Sequence, residues 1–140
     1  MMHISELFSR WYHAMTAPKT NNSRRKPTMS AAVSMPETEF HLLVDALFLR
    51  LQTLLDEAPT NIDSELSSGI LTLSFENGSK IIINRQTPNR EIWVAAKSGG
   101  FHFRFASVGW VDTRSGETLC SLLSKLVSQQ AGGQILISLD

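Results

Sequence analysis

Gly69-Ile-Leu-Thr-Leu-Ser-Phe-Glu-Asn-Gly-Ser-Lys-Ile-Ile-Ile-Asn-Arg-Gln86 is an alternating apolar run, a break, and a second apolar run. Leu71, Leu73 and Phe75 fall on one face of the first run, at the period of a strand. Asn77-Gly78 between two such runs is the strongest short-range hairpin signal, because a two-residue turn needs φ > 0 at both positions. The return strand is Lys80–Gln86, with Ile81 and Ile83 inward. Working outward, Ile62–Leu66 reads as a short preceding strand and Thr87-Pro88-Asn89 as a turn. Glu91–Ala96 is a fourth strand and Phe101–Phe105 a fifth, after Gly99-Gly100. Trp110-Val111 is a short sixth piece.

Helical periodicity flanks this meander. Phe40, Leu43, Val44, Leu47, Leu51, Leu54 and Leu55 recur at 3.6-residue spacing over residues 36–57. Pro36 and Glu37 suit the first turn, and Pro59 stops the helix. Residues 115–131 carry a second stripe of Leu119, Leu122, Leu123, Leu126 and Val127. Ser115 is the expected N-cap, and Gly132 the left-handed C-cap. Ile135–Leu139 could add a last extended segment. One sheet face is apolar (Leu71, Leu73, Phe75, Ile81, Ile83, Ile92, Val94, Phe101, Phe103, Phe105), and two helices are available to cover it. The expected fold is α+β, a two-layer sandwich with helices on one face of an antiparallel sheet.

The chain's 140 residues support one domain with its own core. At 42% hydrophobic and 19% charged residues, the composition is globular. No apolar run approaches the ~18 residues of a membrane span. A net charge of zero argues against a dedicated nucleic-acid binder. The single cysteine, Cys120, excludes an internal disulfide or a Cys-based cluster, and fits a reducing compartment.

The zero is a sum of unlike blocks. Residues 1–34 hold Arg10, Lys19, Arg24, Arg25 and Lys26 against Glu6, for +4. Residues 36–66 hold seven acids and one base, for −6, and residues 67–140 total +2. Residues 1–35 read as an N-terminal extension, either disordered or a consequence of an upstream start, and residues 36–140 as the folded domain. Within the extension, Ile4, Leu7, Phe8, Trp11, Tyr12 and Met15 follow helical spacing. Basic and nearly free of acids, this start resembles a mitochondrial transit peptide. The localisation reading is therefore cytoplasm, or mitochondrial matrix if residues 1–34 are such a peptide.

Two surface constellations stand out. Strand alternation sends Asn84, Gln86, Trp93, His102 and Arg104 to the face away from the helices. An outward Trp beside amides and a cation has the composition of a protein-binding hot spot, or Trp93 simply packs flat on its neighbours. Asp56 and Glu57 end the first helix, and Asp63 and Glu65 lie on the first strand. If helix and strand are adjacent, four carboxylates share one edge. Such a cluster attracts hard cations weakly and openly, or is a solvated acidic face. No GxSxG, P-loop, GxGxxG or HExxH is present. Cys120 flanks an apolar stripe and reads as packing, not as a nucleophile.

The run of residues 69–86 strongly resembles the frataxin family. The likeness continues through Thr87-Pro88-Asn89-Arg90-Glu91-Ile92-Trp93, Gly99-Gly100-Phe101-His102-Phe103, Asp112-Thr-Arg-Ser-Gly-Glu-Thr118 and Gln129-Gln130-Ala131-Gly132. It covers about residues 36–140, and its Lys97-to-Phe103 and Gln-Gln-Ala-Gly segments look like the bacterial, CyaY-type branch. The resemblance implies a role in iron–sulfur cluster assembly. It implies weak binding of Fe²⁺ and Fe³⁺ on an acidic ridge, and docking on the cysteine desulfurase near the scaffold protein. The matching ridge acids are Asp56, Glu57, Asp63 and Glu65, with Glu37, Glu39 and Asp45 outlying. The matching sheet-surface residues are Asn84, Gln86 and Trp93, to which alternation adds Arg104. Gln52 and Thr53 stand where bacterial members often carry another acidic pair, and the loop Ala58–Asn61 carries no acid.

Three readings follow. The favoured one is an iron-binding adaptor, or iron chaperone, that regulates the desulfurase–scaffold complex and is not an enzyme. It would be a monomer with no nucleic-acid or membrane partner. On that reading Trp93→Ala weakens desulfurase binding with little loss of fold. The alternatives are a ferroxidase holding two irons at close spacing, and iron storage by iron-dependent oligomerisation.

Overall fold

The alternation in residues 69–86 becomes the centre of a six-stranded antiparallel meander in the computed structural model of the chain, which describes residues 35–58 and 60–139. The expectations for residues 1–34 lie outside the described residues. The order is α1 (Glu37–Glu57), β1 (Asp63–Ser67), β2 (Ile70–Ser74), β3 (Lys80–Gln86), β4 (Glu91–Ala96), β5 (Gly99–Ala106), β6 (Gly109–Asp112) and α2 (Leu119–Ala131). Strands neighbour one another in chain order, so every connection within the sheet is local. Among the described residues no helix is long and apolar enough to cross a membrane.

Both helices lie on one face. Phe40, Val44, Leu47, Phe48, Leu51 and Leu55 of α1 share a core with Leu71, Leu73, Ile81, Ile83, Ile92, Val94 and Phe103 of the sheet. Leu119, Leu122, Leu123, Leu126 and Val127 of α2 complete it. Each large side chain so buried contributes roughly 1.5–3 kcal/mol. Leu43 and Leu54 pack only at the margin of this core, and Phe48 fills the stripe instead. Phe101 is half-buried against the margin of the core, and Phe105 is exposed. Phe105 leans on Trp110 instead, ring edge to face.

The turns differ from the sequence reading in an instructive way. At Asn77-Gly78 only Gly78 has positive φ (+86°). The connection is a wider loop, closed by Phe75 N–H to the Ser79 carbonyl at 2.9 Å. Asn77 spends its side chain on tertiary contacts. It accepts from Ser79 N–H at 3.0 Å and donates to the Gln130 carbonyl at 2.9 Å. The tight two-residue turn is Ser68-Gly69 between β1 and β2, with φ of +53° and +77°. Ser67 pairs directly with Ile70 across it.

The caps also shift. Thr118, not Ser115, caps α2, accepting Ser121 N–H at 3.3 Å. Ser115 instead braces the preceding loop by donating to Asp112 at 2.7 Å. Gly132 takes the left-handed C-cap as expected. Pro36 is the N-cap of α1 rather than its first helical residue. Among the described residues beyond α2 there is no strand. Ile135 and Ile137 are buried, held by Ser128 and Ser124 of α2, whose hydroxyls accept their N–H groups at 2.8 Å. Gln130 is the other tie. Its amide nitrogen donates to the Ser79 hydroxyl and the Lys80 carbonyl, and its oxygen accepts Lys97 N–H. The Gln-Gln-Ala-Gly signature is thus structural at Gln130, joining α2 to two turns of the sheet.

Candidate functional site

Register places the outer face row by row. Ser67, Ile70, Asn84, Trp93 and His102 form one row across five strands. Gln86, Glu91 and Arg104 form the next on one side. Glu65, Thr72, Ile82 and Ala95 form the next on the other. Asn84, Gln86, Trp93 and Arg104 therefore come together as the alternation predicts, and Asn84 and Gln86 are half-buried.

Trp93 is not the exposed side chain the sequence suggests. It keeps 1% of its surface in solvent. Its ring stacks on His102, 4.4 Å between centroids and 9° between planes. Its indole N–H donates to Glu91 Oε1 at 2.9 Å. The flat-packing alternative is the one the geometry takes. The expectation that Trp93→Ala leaves the fold almost untouched is corrected accordingly.

Glu91, which the sequence reading passed over, organises the patch. It is 4% exposed. Besides the indole it accepts Arg104 Nε at 2.9 Å and faces His102 Nδ1 at 3.4 Å. Burial raises the pKa of this carboxyl, but hydrogen bonds from His102 and Trp93 and the charge of Arg104 outweigh it and leave it lowered. The signal was available: Glu91 alternates onto the face of Trp93 and lies opposite Arg104.

A lowered folded-state pKa means that folding favours the charged carboxylate. That contribution is complete above the ordinary carboxylate range and is lost as pH falls through the folded value. Stability is therefore expected to decline below about pH 4, with Glu91→Gln flattening this acid limb. Urea unfolding at a series of pH values checks it. Identical acid limbs for both proteins would contradict it.

The acids separate into several settings. Glu37 and Glu39 are exposed in the first turn of α1, where the helix dipole favours them. Asp45 is engaged: Arg85 donates to it at 2.6 Å and to His41 at 2.9 Å, while its guanidinium lies 5.4 Å above the Phe48 ring. Asp56 and Glu57 are exposed in the last turn of α1. Asp56 borders an open polar cleft of about 730 Å³, shared with Thr60, Asn61, Glu76, Asn77 and Gln130. Asp63 and Glu65 pair with Ser74 and Thr72, which puts them on the outer face.

The four carboxylates Asp56, Glu57, Asp63 and Glu65 lie on two neighbouring elements, the end of α1 and the edge strand β1. The α1 backbone does come near β1. Strand alternation, however, turns Ser64 and Leu66 toward the helix layer and the two acids away from it. Among the described residues no three His, Cys, Asp or Glu side chains converge on a common metal position. The oxygen donors present suit a hard cation held by one or two carboxylates with most of its water retained.

Comparison with known proteins gives this arrangement its class. The frataxin-like domain family model matches residues 33–133. The structure is similar to frataxin from Psychromonas ingrahamii, of the CyaY family, at 32% identity and a TM-score of 0.70, covering 74% of this chain and 99% of that one. It is similar to yeast frataxin at 27% identity and a TM-score of 0.58, covering 81% and 98%. It is also similar to a trimeric frataxin of Saccharomyces cerevisiae complexed with ferrous iron, at 32% identity and a TM-score of 0.54, covering 71% and 89%. The chain belongs to the frataxin-like family. Membership supports an iron-related function.

Proposed function

We propose that this protein is a weak iron binder that docks on a cysteine desulfurase beside its scaffold protein and regulates iron–sulfur cluster assembly, without turnover of its own. The observation that supports it most is the outer face. Acids at the β1 edge (Asp63, Glu65), amides on β3 (Asn84, Gln86) and a cation on β5 (Arg104) lie on one continuous side of the sheet. Trp93 and Glu91 act beneath it, holding Arg104 and His102 in place. The mixture of signs favours orientation and specificity over bulk affinity.

Iron is cargo in this reading. Exposed, dispersed carboxylates exchange a hydrated ferrous ion readily. A ferroxidase must hold two irons at close spacing between bridging carboxylates, and the outward turn of Asp63 and Glu65, away from the helix layer, supports the adaptor over it. Storage by iron-dependent assembly is the further alternative, and size-exclusion chromatography with and without iron would reveal it. The docking test is Arg104→Ala. Arg104 is exposed apart from its Glu91 contact, so the fold should persist. Desulfurase affinity is expected to fall roughly fivefold to tenfold. Unchanged affinity would remove this face from the interface.

A further inference from the structure

A second cleft, of about 400 Å³, opens where α1, the β5–β6 turn, the start of α2 and the C-terminal tail meet. Its character is opposite to that of the polar cleft beside Asp56. Leu47, Trp110 and Leu119 line its buried part and belong to the core. Phe105 and Val108 line its outer part, 43% and 73% exposed. The volume lies at the lower end of the ~300–1,000 Å³ usual for cavities that hold small ligands, and a mostly apolar wall is usual for them too. The polar groups of the wall have one sign. Arg50 is exposed and lines the cleft one turn along α1 from Leu47, on the same side of the helix. The N-terminus of α2 also opens here, through its cap Thr118 and the first-turn residues Leu119 and Cys120. That turn carries no acid, so the positive end of the helix dipole is not offset within it. Glu117, just before the cap, is held by Lys125 and Ser121. Among the described residues that line the cleft there is no Asp or Glu.

We propose that this cleft binds a free medium-chain carboxylate. The alkyl chain covers Trp110, Phe105 and Val108, and the carboxylate meets Arg50 beside the N-terminus of α2. Each part of the ligand answers a part of the wall. The apolar residues offer no hydrogen-bond partner to a polar body, and the small volume suits a short chain. A single guanidinium suits a monoanion, and its planar fork matches a carboxylate with two parallel N–H bonds. Arg50 has five N–H donors, so it can take this ligand and keep a contact within the protein. A neutral head group of the same length forgoes the charge, and an ammonium meets a charge of its own sign. Trp110 and Leu119 share the core with the helices, so the cleft lies on the helix side of the sheet. Its ligand is therefore independent of any docking at the outer face. Occupancy joins α1, β6 and α2, and binding to the folded state alone raises its stability.

The test uses the full chain and the NMR signals of the Trp110 indole and the Leu47 and Leu119 methyls. Octanoate, octanol and octylammonium are titrated in turn, each below its aggregation concentration. Octanoate is expected to give saturable shifts and to bind about tenfold more tightly than octanol, with octylammonium weaker still. Arg50→Gln is expected to remove that preference and to leave octanol binding unchanged. Val108→Asp alters a side chain that is 73% exposed, so the fold should persist. It places a carboxylate at the outer part of the cleft and should weaken octanoate binding about tenfold. The thermal midpoint of the parent should rise with octanoate, and that of Val108→Asp should rise far less. Absence of saturable shifts overturns the proposal, as does equal affinity for the three amphiphiles or a preference that survives in Arg50→Gln. Phosphatidylglycerol vesicles that move these signals when octanoate does not would also overturn it, assigning the cleft to a membrane surface.

Discussion

Trp93→Ala is expected to destabilise the domain by about 3–5 kcal/mol, the usual range for emptying a fully buried aromatic site. The loss has three parts. The stack on His102 disappears, the apolar surface it fills is opened, and Glu91 loses a donor in a buried position. For a domain of this size such a change lowers the unfolding midpoint by roughly 15 °C or more. Trp93→Phe keeps most of the stack and loses only the hydrogen bond, so it should cost about 1–2 kcal/mol. Thermal unfolding of both variants checks the ranking. A Trp93→Ala midpoint within a few degrees of the parent would mean that Trp93 stands in solvent after all. The practical consequence is that a Trp93 truncation confounds folding with binding, whereas Arg104→Ala does not.

Asp63→Lys combined with Glu65→Lys should weaken desulfurase binding on the order of tenfold at low salt. Both side chains are exposed on the edge strand, so the reversal touches no core contact. It changes the charge of the face by four units at its acidic end. The deficit should shrink as salt is added, because exposed charges are screened over about 8 Å at physiological ionic strength. Binding by titration calorimetry at two salt concentrations measures both effects. A deficit insensitive to salt would point to a packing defect, and no deficit would place the acidic edge outside the contact. The same reversal at Asp56 and Glu57 separates the two halves of the ridge, since those acids lie on the helix end and not on the strand.

The architecture was legible because period-two and period-3.6 patterns dominate this chain. Ile81 and Ile83, or Leu119 and Leu123, have one sensible side to face, and register follows from that. Turns were less legible. Asn77-Gly78 carries the sequence signature of a tight turn, but Asn77 gains more from Gln130 and Ser79 than a left-handed backbone would give it. Ser68-Gly69 made the tight turn with a weaker signature. In the site, alternation correctly grouped Asn84, Gln86, Trp93 and Arg104. It said nothing of how deeply Trp93 would sink, because burial on an open face depends on neighbours in three dimensions. The direction of the acids on the first strand was not legible for a related reason. Proximity in sequence and adjacency of α1 to β1 do not determine which way a strand turns its side chains, and Asp63 and Glu65 turn outward.

An adaptor and an iron-oxidising enzyme differ in what they do to the partner's reaction. Cysteine desulfurase turnover, measured in the presence of the scaffold while this protein is titrated with and without ferrous iron, bears most directly on the proposed role. A saturable change in turnover that depends on Arg104 and on Asp63 with Glu65 is the predicted result, with oxygen uptake no faster than that of iron in buffer. Turnover and binding both indifferent to the protein, or oxygen uptake well above the buffer rate, would contradict it.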